Sequence, residues 1–552
     1  MLIEKTIKQT HDLAFLPLGG TGKIGMNFNL YRLGDTWLAI DCGIGFSGND
    51  TPEAEIFIPD PSFIVERKNR LVGLVVTHAH EDHLGAIVHI WPMLGCPIYV
   101  TPFAAAVLQQ KFVELHLTNV PLYVVRPGNR FNIGPFDIET LPVTHSVPEA
   151  QVLVLRTPMG TVIHTGDWKF DPTPQIGHVT DLERLATIGR EGVLALVCDS
   201  TNVIKQGLSQ SEAQVRQSMF ELIKSLKGRI AVTCFASNVA RLETIALAAQ
   251  TVGRKVVLVG RSLRNIDRVA RDCGYLAGIH PFLHEQEVND IPNDQLLMII
   301  TGSQGEPRSA LSRIALGIHS HISLGEGDTV VYSSRMIPGN EHAIMTMQDN
   351  LAKRGVTVLT ESECFVHVSG HATEGDIQQM YDLLNPQYVV PVHGEWRHLT
   401  AQAAIARKKG ITPVLMEDGD ILRLAHGPVE VVDTAPTGCL VLDGNRLLPM
   451  HGSVLTARRK MLFNGMVIGS FAVDDEGYVI GEPKISAPGL LDPDDLETVH
   501  VHEEFANALD IIPDELRNDD HSFRSAAKTA LRRVLSRKFQ KRPLVDVHLL
   551  RV

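Results

Sequence analysis

Short apolar runs closed by Gly, Pro, Ser or Asp recur through most of the chain, with amphipathic stretches between them. Residues 71–76 (LVGLVV) read as a buried strand, because a continuous apolar run must be covered on both faces. Leu84-Gly85-Ala86-Ile87-Val88 begins a packed helix soon after it. From about 208 the alternation becomes regular: a helix at 211–226 capped by Ser209 or Ser211, a strand at 230–234, a helix at 240–251 and a strand at Lys255–Val259. Strands alternating with helices predict a parallel sheet flanked by helices. The pattern closes near residue 348, and 356–359 begins a return to the first domain, completed by a helix at about 399–409. Gly427-Pro428 and Ala435-Pro436-Thr437-Gly438 predict a linker. The expected organisation is 1–207 for the first part of one domain, 208–348 for an insertion, 349–425 for its second part, 426–454 for a linker and 455–552 for a small α+β domain.

A chain of 552 residues, 44% hydrophobic, can bury several cores. The charged start Met1-Leu2-Ile3-Glu4-Lys5 predicts no signal peptide, and the absence of a long apolar run predicts no membrane span. Seven cysteines without a CxxC pair predict free thiols and a cytoplasmic location. The net charge of −12 opposes broad duplex binding and favours a substrate threaded through a narrow channel. Basic residues cluster at Arg458-Arg459-Lys460, between Arg261 and Arg271, and from Arg524 to Arg542. The last group, on an expected helix, faces solvent, another subunit or RNA.

The chemistry is concentrated in His78-Ala79-His80-Glu81-Asp82-His83. At an extended strand end, His78 and His80 point to one side. Asp82 and His83 follow at a turn, where a second ligand set can face the first. Imidazole and carboxylate ligands favour zinc or a similar divalent ion. Asp41, His145, Asp167 and His393 each lie where an apolar strand gives way to Gly, Ser or Pro, the place where an α/β sheet delivers ligands to a crevice. A structural zinc site would be closed and cysteine-rich, and no cysteine stands at ligand spacing in these motifs. Gly19-Gly20-Thr21-Gly22-Lys23-Ile24-Gly25 lacks the GxxxxGK spacing and the following hydroxyl of a phosphate loop, and reads as a tight turn.

His78, His80, Asp82 and His83 in this order resemble the HxHxDH signature of the metallo-β-lactamase superfamily. Asp199-Ser200-Thr201-Asn202, Phe235-Ala236-Ser237-Asn238, the stretch from Ser333 to Glu341, and His367-Val368-Ser369-Gly370-His371-Ala372 resemble its β-CASP group, and within it bacterial ribonuclease J. The resemblance runs from Leu18 to about 440 and more loosely beyond. It implies a metallo-β-lactamase αββα sandwich, an inserted β-CASP α/β domain and a small C-terminal α+β domain. It also implies two zinc ions per subunit, with manganese or magnesium able to serve. His78, His80 and His145 would hold one, Asp82, His83 and His393 the other, and Asp167 would bridge them. A water between the ions would then attack the phosphodiester as hydroxide.

Asp199 and His371 match the group's proton-donating pair and, with Asp82, are the candidate catalytic residues; Asp41 would hold a ligand or the adjoining turn. Ala236, Ser237 and Asn238 with Ser369, Gly370 and His371 would form a phosphate pocket, which His367 and Val368 either join or merely pack against. Read without the resemblance, Phe235–Asn238 is an ordinary capped strand-to-helix turn. The family often carries calcium, and Asp50, Glu53 and Asp443 are the nearby carboxylates, with no site assigned among them.

The resemblance implies 5′-to-3′ exoribonuclease and endoribonuclease activity in mRNA decay and rRNA processing. The substrate would be single-stranded RNA, preferably 5′-monophosphorylated, and the enzyme a homodimer or homotetramer, in some cases within an RNA-degrading complex. Two other readings stay open: a β-CASP DNA nuclease, and a small-molecule metallohydrolase or silent scaffold.

Overall fold

The computed structural model describes residues 12–46, 51, 54–492 and 496–552. The chain divides into two compact units, one of residues up to 50 with 56–439, the other of 51–55 with 440–552.

The first unit is built on two facing sheets. One has eight strands in the order Glu430–Thr434, Asp420–Ala425, Leu13–Gly19, Phe28–Leu33, Thr36–Ile40, Leu71–Val75, Ile98–Val100, Leu122–Val124. The other has seven: Arg130–Ile133, Phe136–Pro142, Gln151–Thr157, Gly160–His164, Ala195–Asp199, Tyr388–Val392, Thr412–Pro413. Phe15, Tyr31, Ile40 and Val75 from the first sheet pack with Phe136, Leu155, Val197 and Val390 from the second in one core. The outer face of the second sheet is covered by helices Leu182–Glu191, Glu374–Leu384 and Trp396–Lys408 through Leu185, Ile188, Met380, Leu384 and Ala406. This is the helix-backed sandwich that the superfamily resemblance implies.

Strand direction decides where the polar ends go. Thr36–Ile40 and Leu71–Val75 run parallel, so Asp41 and His78 leave the same edge. Gly160–His164, Ala195–Asp199 and Tyr388–Val392 are consecutive parallel neighbours, with Asp199 opposite Val392. Asp167, Asp199 and His393 therefore emerge together at one edge of the second sheet.

The insertion is a parallel sheet of six strands, ordered Leu283–His284, Lys255–Val259, Leu296–Ile300, Ile230–Thr233, Thr329–Tyr332, Thr357–Leu359. Separate apolar cores cover its two faces, which is why its central strands are mostly apolar. Ser211 caps the helix Glu212–Ser225 with a capping box completed by Gln214.

Two expectations need correcting. Residues 356–359 do not begin the return to the sandwich: Thr357–Leu359 pairs with Thr329–Tyr332 as the edge strand of the inserted sheet. Residues 426–454 are not a linker throughout either. Glu430–Thr434 is the edge strand beside Asp420–Ala425, and Cys439–Asp443 pairs with Arg446–Pro449 as a hairpin. Glu430–Thr434 is an edge strand exposed at every residue, so its pattern mimics a loop, whereas the apolar pattern of 356–359 does not say which sheet the segment joins.

In the second unit, strands Val479–Ser486, Met466–Val473 and Leu544–Arg551 form a sheet backed by helices Leu496–Asp510 and Asp520–Phe539. Met466–Val473 alternates strictly between half-buried and buried, with Phe471 meeting Phe505 and Phe523 in the core. Of the basic stretch from Arg524, Lys541 and Arg542 lie past the helix, which stops at Gln540 in a left-handed turn. Asp443 is paired with Arg446 and Arg458, while Asp50 and Glu53 lie outside the described residues. No helix among the described residues is long and apolar enough to cross a membrane.

Candidate metal centre

The turn that carries Asp82 and His83 is locked to the end of the Thr36–Ile40 strand. Cys42 N donates to His83 O at 2.7 Å and Ile44 N to Glu81 O at 2.9 Å. A Cβ at Gly43 would lie 1.7 Å from Asp82 O, so only glycine permits this approach. Asp41 (φ 60°) and His393 (φ 52°) both take left-handed backbone, strain that is kept where it aims a side chain into the crevice.

Two groups of potential ligands meet there, each with its ligand atoms within 4.8 Å of one another: His78, His80, His145 and Asp167, and Asp82, His83, Asp167 and His393. In the first, His80 Nδ1 lies 3.2 Å from His78 Nε2 and 3.0 Å from His145 Nε2, and Asp167 Oδ2 is 3.6 Å from both Nε2 atoms. In the second, Asp167 Oδ1 is 3.2 Å from His83 Nε2 and 3.8 Å from His393 Nε2, and Asp82 Oδ2 is 3.1 Å from His393 Nε2. Ligands at ~2.0–2.1 Å around a tetrahedral ion stand roughly 3.3 Å apart, close to these separations. Asp167 thus turns one oxygen to each group. It is 2% exposed, and its Oδ1 makes no hydrogen bond. A buried carboxylate oxygen with no donor is what a bridging cation would satisfy.

The hydrogen bonds behind the histidines fix their tautomers. His83 Nδ1 donates to Asp41 Oδ2 at 2.7 Å and His145 Nδ1 to Gly370 O at 2.7 Å. Thr77 Oγ1 donates to Asp41 Oδ2 at 2.9 Å and so accepts from His78 Nδ1, also at 2.9 Å. Thr201 Oγ1 donates to His393 O at 2.9 Å and so accepts from His393 Nδ1 at 2.6 Å. In all four rings Nδ1 carries a proton and Nε2 faces the centre. Burial pushes His78 and His145 well below the ordinary histidine range and His80 to about 4, keeping these imidazoles neutral and ready to ligate. Burial lowers His83 and His393 too, but the surrounding carboxylates, Asp167 foremost, raise both well above it. The residues present therefore fit a pair of divalent ions.

Thr77, Thr201 and Asn27 are the residues that sequence reading overlooked. Asn27 Nδ2 donates to Asp82 O at 3.1 Å and lies 3.0 Å from His83 Nε2, a nitrogen an ion would take from it. The available signal is adjacency: Thr77 precedes His78, and Thr201 lies two residues beyond Asp199.

Asp199 and His371 meet beside this centre, Nδ1 to Oδ2 at 2.8 Å. Asp167, Asp199, His371 and His393 form a third close group, although His371 and Asp199 already satisfy one another there. The phosphate-pocket candidates are less tightly gathered. Asn238 Oδ1 is used as a helix cap, accepting from Arg241 N at 2.9 Å. Ala236 and Ser237 are half-buried in the same turn, and Val368 is 5% exposed, a packing residue. Ser369 Oγ accepts from His371 N at 3.2 Å. The two segments are tied through Arg241, which is fully buried, pairs with Glu212 at 2.9 Å and donates to Val366 O at 2.8 Å. His367 Nδ1 is buried without a hydrogen bond. Burial and the charges of Arg241, Arg335, Lys169 and Lys205 hold that ring well below its usual range, so a positive field surrounds it.

Comparison with known proteins covers nearly the whole chain. Family models match as a beta-lactamase superfamily domain over 36–199, a ribonuclease J beta-CASP domain over 227–351, a Zn-dependent metallo-hydrolase RNA specificity domain over 355–416 and a ribonuclease J C-terminal domain over 453–552. Ribonuclease J of Sinorhizobium meliloti is 42% identical over 554 residues, covering 99% of this chain and 98% of that protein. Ribonuclease J of Mycobacterium tuberculosis is 38% identical over 87% of each chain. A crystal structure of an Enterococcus faecalis protein of unknown function matches 75% of this chain and all of its own, with a TM-score of 0.53 at 17% identity. That likeness is one of fold alone.

Proposed function

Because this chain belongs to the ribonuclease J family and is a metal-dependent ribonuclease, we propose that it degrades single-stranded RNA 5′-to-3′ from a monophosphorylated end and also cuts RNA internally, in RNA maturation and decay. In this reading His78, His80, His145 and Asp167 hold one zinc ion, and Asp82, His83, His393 and Asp167 hold a second. Manganese or magnesium can stand in during turnover. The observation that carries it is Asp167, whose buried oxygens face two separate ligand groups while Oδ1 has no hydrogen bond. When bound, such ions stabilise charge on phosphoryl oxygens and make water more acidic near neutral pH.

The chain's own residues then divide the remaining work. Asp41, Thr77, Thr201 and Gly370 O hold four imidazoles with Nε2 inward. His371 has its Nδ1 committed to Asp199, which leaves Nε2 to give a proton to the leaving oxygen. Ser369 and His367, with Ala236, Ser237 and Asn238 across the cleft, receive the 5′ phosphate. The unpaired His367 Nδ1 and the four cations whose field reaches it support that assignment.

The domain division adopted with this reading is a sandwich in two halves around the insertion, followed by the C-terminal domain. A homodimer or homotetramer is proposed, with a place in an RNA-degrading assembly. Seven free cysteines support the cytoplasm as its location.

The test is a release assay on 5′-labelled RNA, the matching DNA and a carboxylic ester, each with and without a chelator. Chelator-sensitive release of mononucleotides from monophosphorylated RNA is expected. Equal turnover of DNA, or hydrolysis of the ester alone, would overturn the reading.

A further inference from the structure

We propose that Trp396, with Ile24 on the adjoining turn, is a stacking platform for one nucleobase of the RNA strand at the mouth of the metal centre. Trp396 is 42% exposed, whereas Trp37 and Trp168 are 4% and 0% exposed, and Trp91 donates its indole N–H to Cys96 O. Among the described residues the Trp396 indole nitrogen makes no hydrogen bond. An exposed indole offers a flat apolar face on which a ligand ring can stack.

Its position is fixed by the backbone that carries the ligand His393. The segment Gly394–Glu395 pairs in parallel with Thr21–Gly22, and His393 N donates to Gly20 O at 2.7 Å. The glycine turn that follows reaches from the tryptophan to the centre. A Cβ at Gly22 would stand 3.9 Å from Trp396 Nε1, and one at Gly25 would stand 3.5 Å from Asp82 Cβ. Gly20, Gly22 and Gly25 all have left-handed backbone, so this turn needs glycine for its path. Ile24, within it, is 42% exposed.

Charge argues for a base rather than a phosphate as the occupant. The nearby cations already have partners: Lys23 pairs with Asp418 at 2.8 Å and Arg397 with Glu395 at 2.8 Å. What remains available is aromatic and aliphatic surface, which accepts any base because every base has a π-face. A duplex keeps its bases stacked inside, so the platform would also favour single strands. The proposal deepens the ribonuclease reading and rests on its single-strand part.

The test uses the full chain, with initial rates on a 5′-monophosphorylated oligoadenylate. Loss of one base–aromatic stack corresponds to roughly 5- to 150-fold in affinity. Trp396→Ala should raise KM about tenfold with the loss absent from kcat, and Trp396→Phe should keep most of the wild-type value. The increase should persist at high salt, because no phosphate contact is removed. In the wild type, an abasic nucleotide at one position should raise KM similarly, and in Trp396→Ala that position should no longer matter. A phosphorothioate version of the strand, which is not turned over, should quench tryptophan fluorescence in the wild type and not in Trp396→Phe.

An unchanged KM in Trp396→Ala, equal losses in both variants, or undiminished quenching in Trp396→Phe would overturn the platform. A wild-type enzyme that prefers duplex RNA would instead overturn the single-strand reading, and the quenching experiment would still judge Trp396 by itself.

Discussion

His371 Nδ1 donates to Asp199 Oδ2 across 2.8 Å, joining the end of a strand to the loop ahead of the helix Glu374–Leu384, 172 residues apart in the chain. The carboxylate fixes the ring and leaves Nε2 toward the cleft. His371→Ala should slow the chemical step by about 10²–10⁴-fold while the metal content of the purified protein, measured by plasma emission, stays unchanged. Loss of metal in this variant would make His371 a ligand of the group it forms with Asp167, Asp199 and His393.

The pair also sets a pH dependence. Burial lowers the His371 pKa, but Asp199 and then Asp167 raise it more, so the net shift is upward. The protonated ring is the donor. Single-turnover rates should therefore hold through neutrality and fall as pH rises through this raised value. Asp199→Asn removes the main raising charge and should move that fall to lower pH. An alkaline limb unmoved by Asp199→Asn would assign it to another group.

Much of the centre is legible in sequence because its residues crowd at strand ends. His78, His80, Asp82 and His83 stand within one short stretch, and the apolar strands ahead of Asp167 and His393 announce those residues. The residues that hold the ligands are not legible in this way. Thr201 meets His393 from 192 positions away and Thr77 meets Asp41 from 36, and a threonine at a strand end is common without such a partner. The edge strand Glu430–Thr434 is hidden for a different reason: its partner lies on one side only and every residue is exposed, so the apolar pattern that marks a central strand is absent. Residues 356–359 are mostly apolar, but that pattern does not say which of two sheets they join.

Asp167→Asn tests the bridge. The substitution keeps the volume of a buried side chain but removes the charge that two ions would share. It should lower hydrolysis by more than about a hundredfold, since such ions supply several kcal/mol to the reaction. Cores on both faces of the second sheet should leave the circular dichroism spectrum intact. A variant that keeps both full activity and full metal content would remove Asp167 from the scheme.

Thr201→Val probes the support rather than the ligand. Thr201 Oγ1 accepts the His393 Nδ1 proton at 2.6 Å, and without it the ring loses both its tautomer and its orientation. Loss of such a partner typically weakens metal binding by about 10–100-fold. Competition with a fluorescent chelator should show one ion per subunit weakened by that factor and the other unaffected, because His78, His80 and His145 do not touch Thr201. Uniform weakening of both ions would mean that the hydroxyl acts through the fold of the whole crevice.

Ser369→Ala tests how the enzyme measures the 5′ end. The hydroxyl accepts from His371 N at 3.2 Å, leaving its own proton free to meet a phosphate oxygen. Losing a hydrogen bond to a charged group costs roughly 1.5–3 kcal/mol, or about 10- to 150-fold in binding. That loss should fall on degradation of monophosphorylated RNA, because only a strand that enters by its end brings a terminal phosphate to the pocket. Internal cutting of a circular RNA presents no such group and should change by less than about threefold, a difference below ~1 kcal/mol. Comparing kcat/KM on the two substrates in both proteins separates the cases. Equal losses would reassign Ser369 to the general strand-binding channel, and the five-prime preference would then have to come from another part of the cleft.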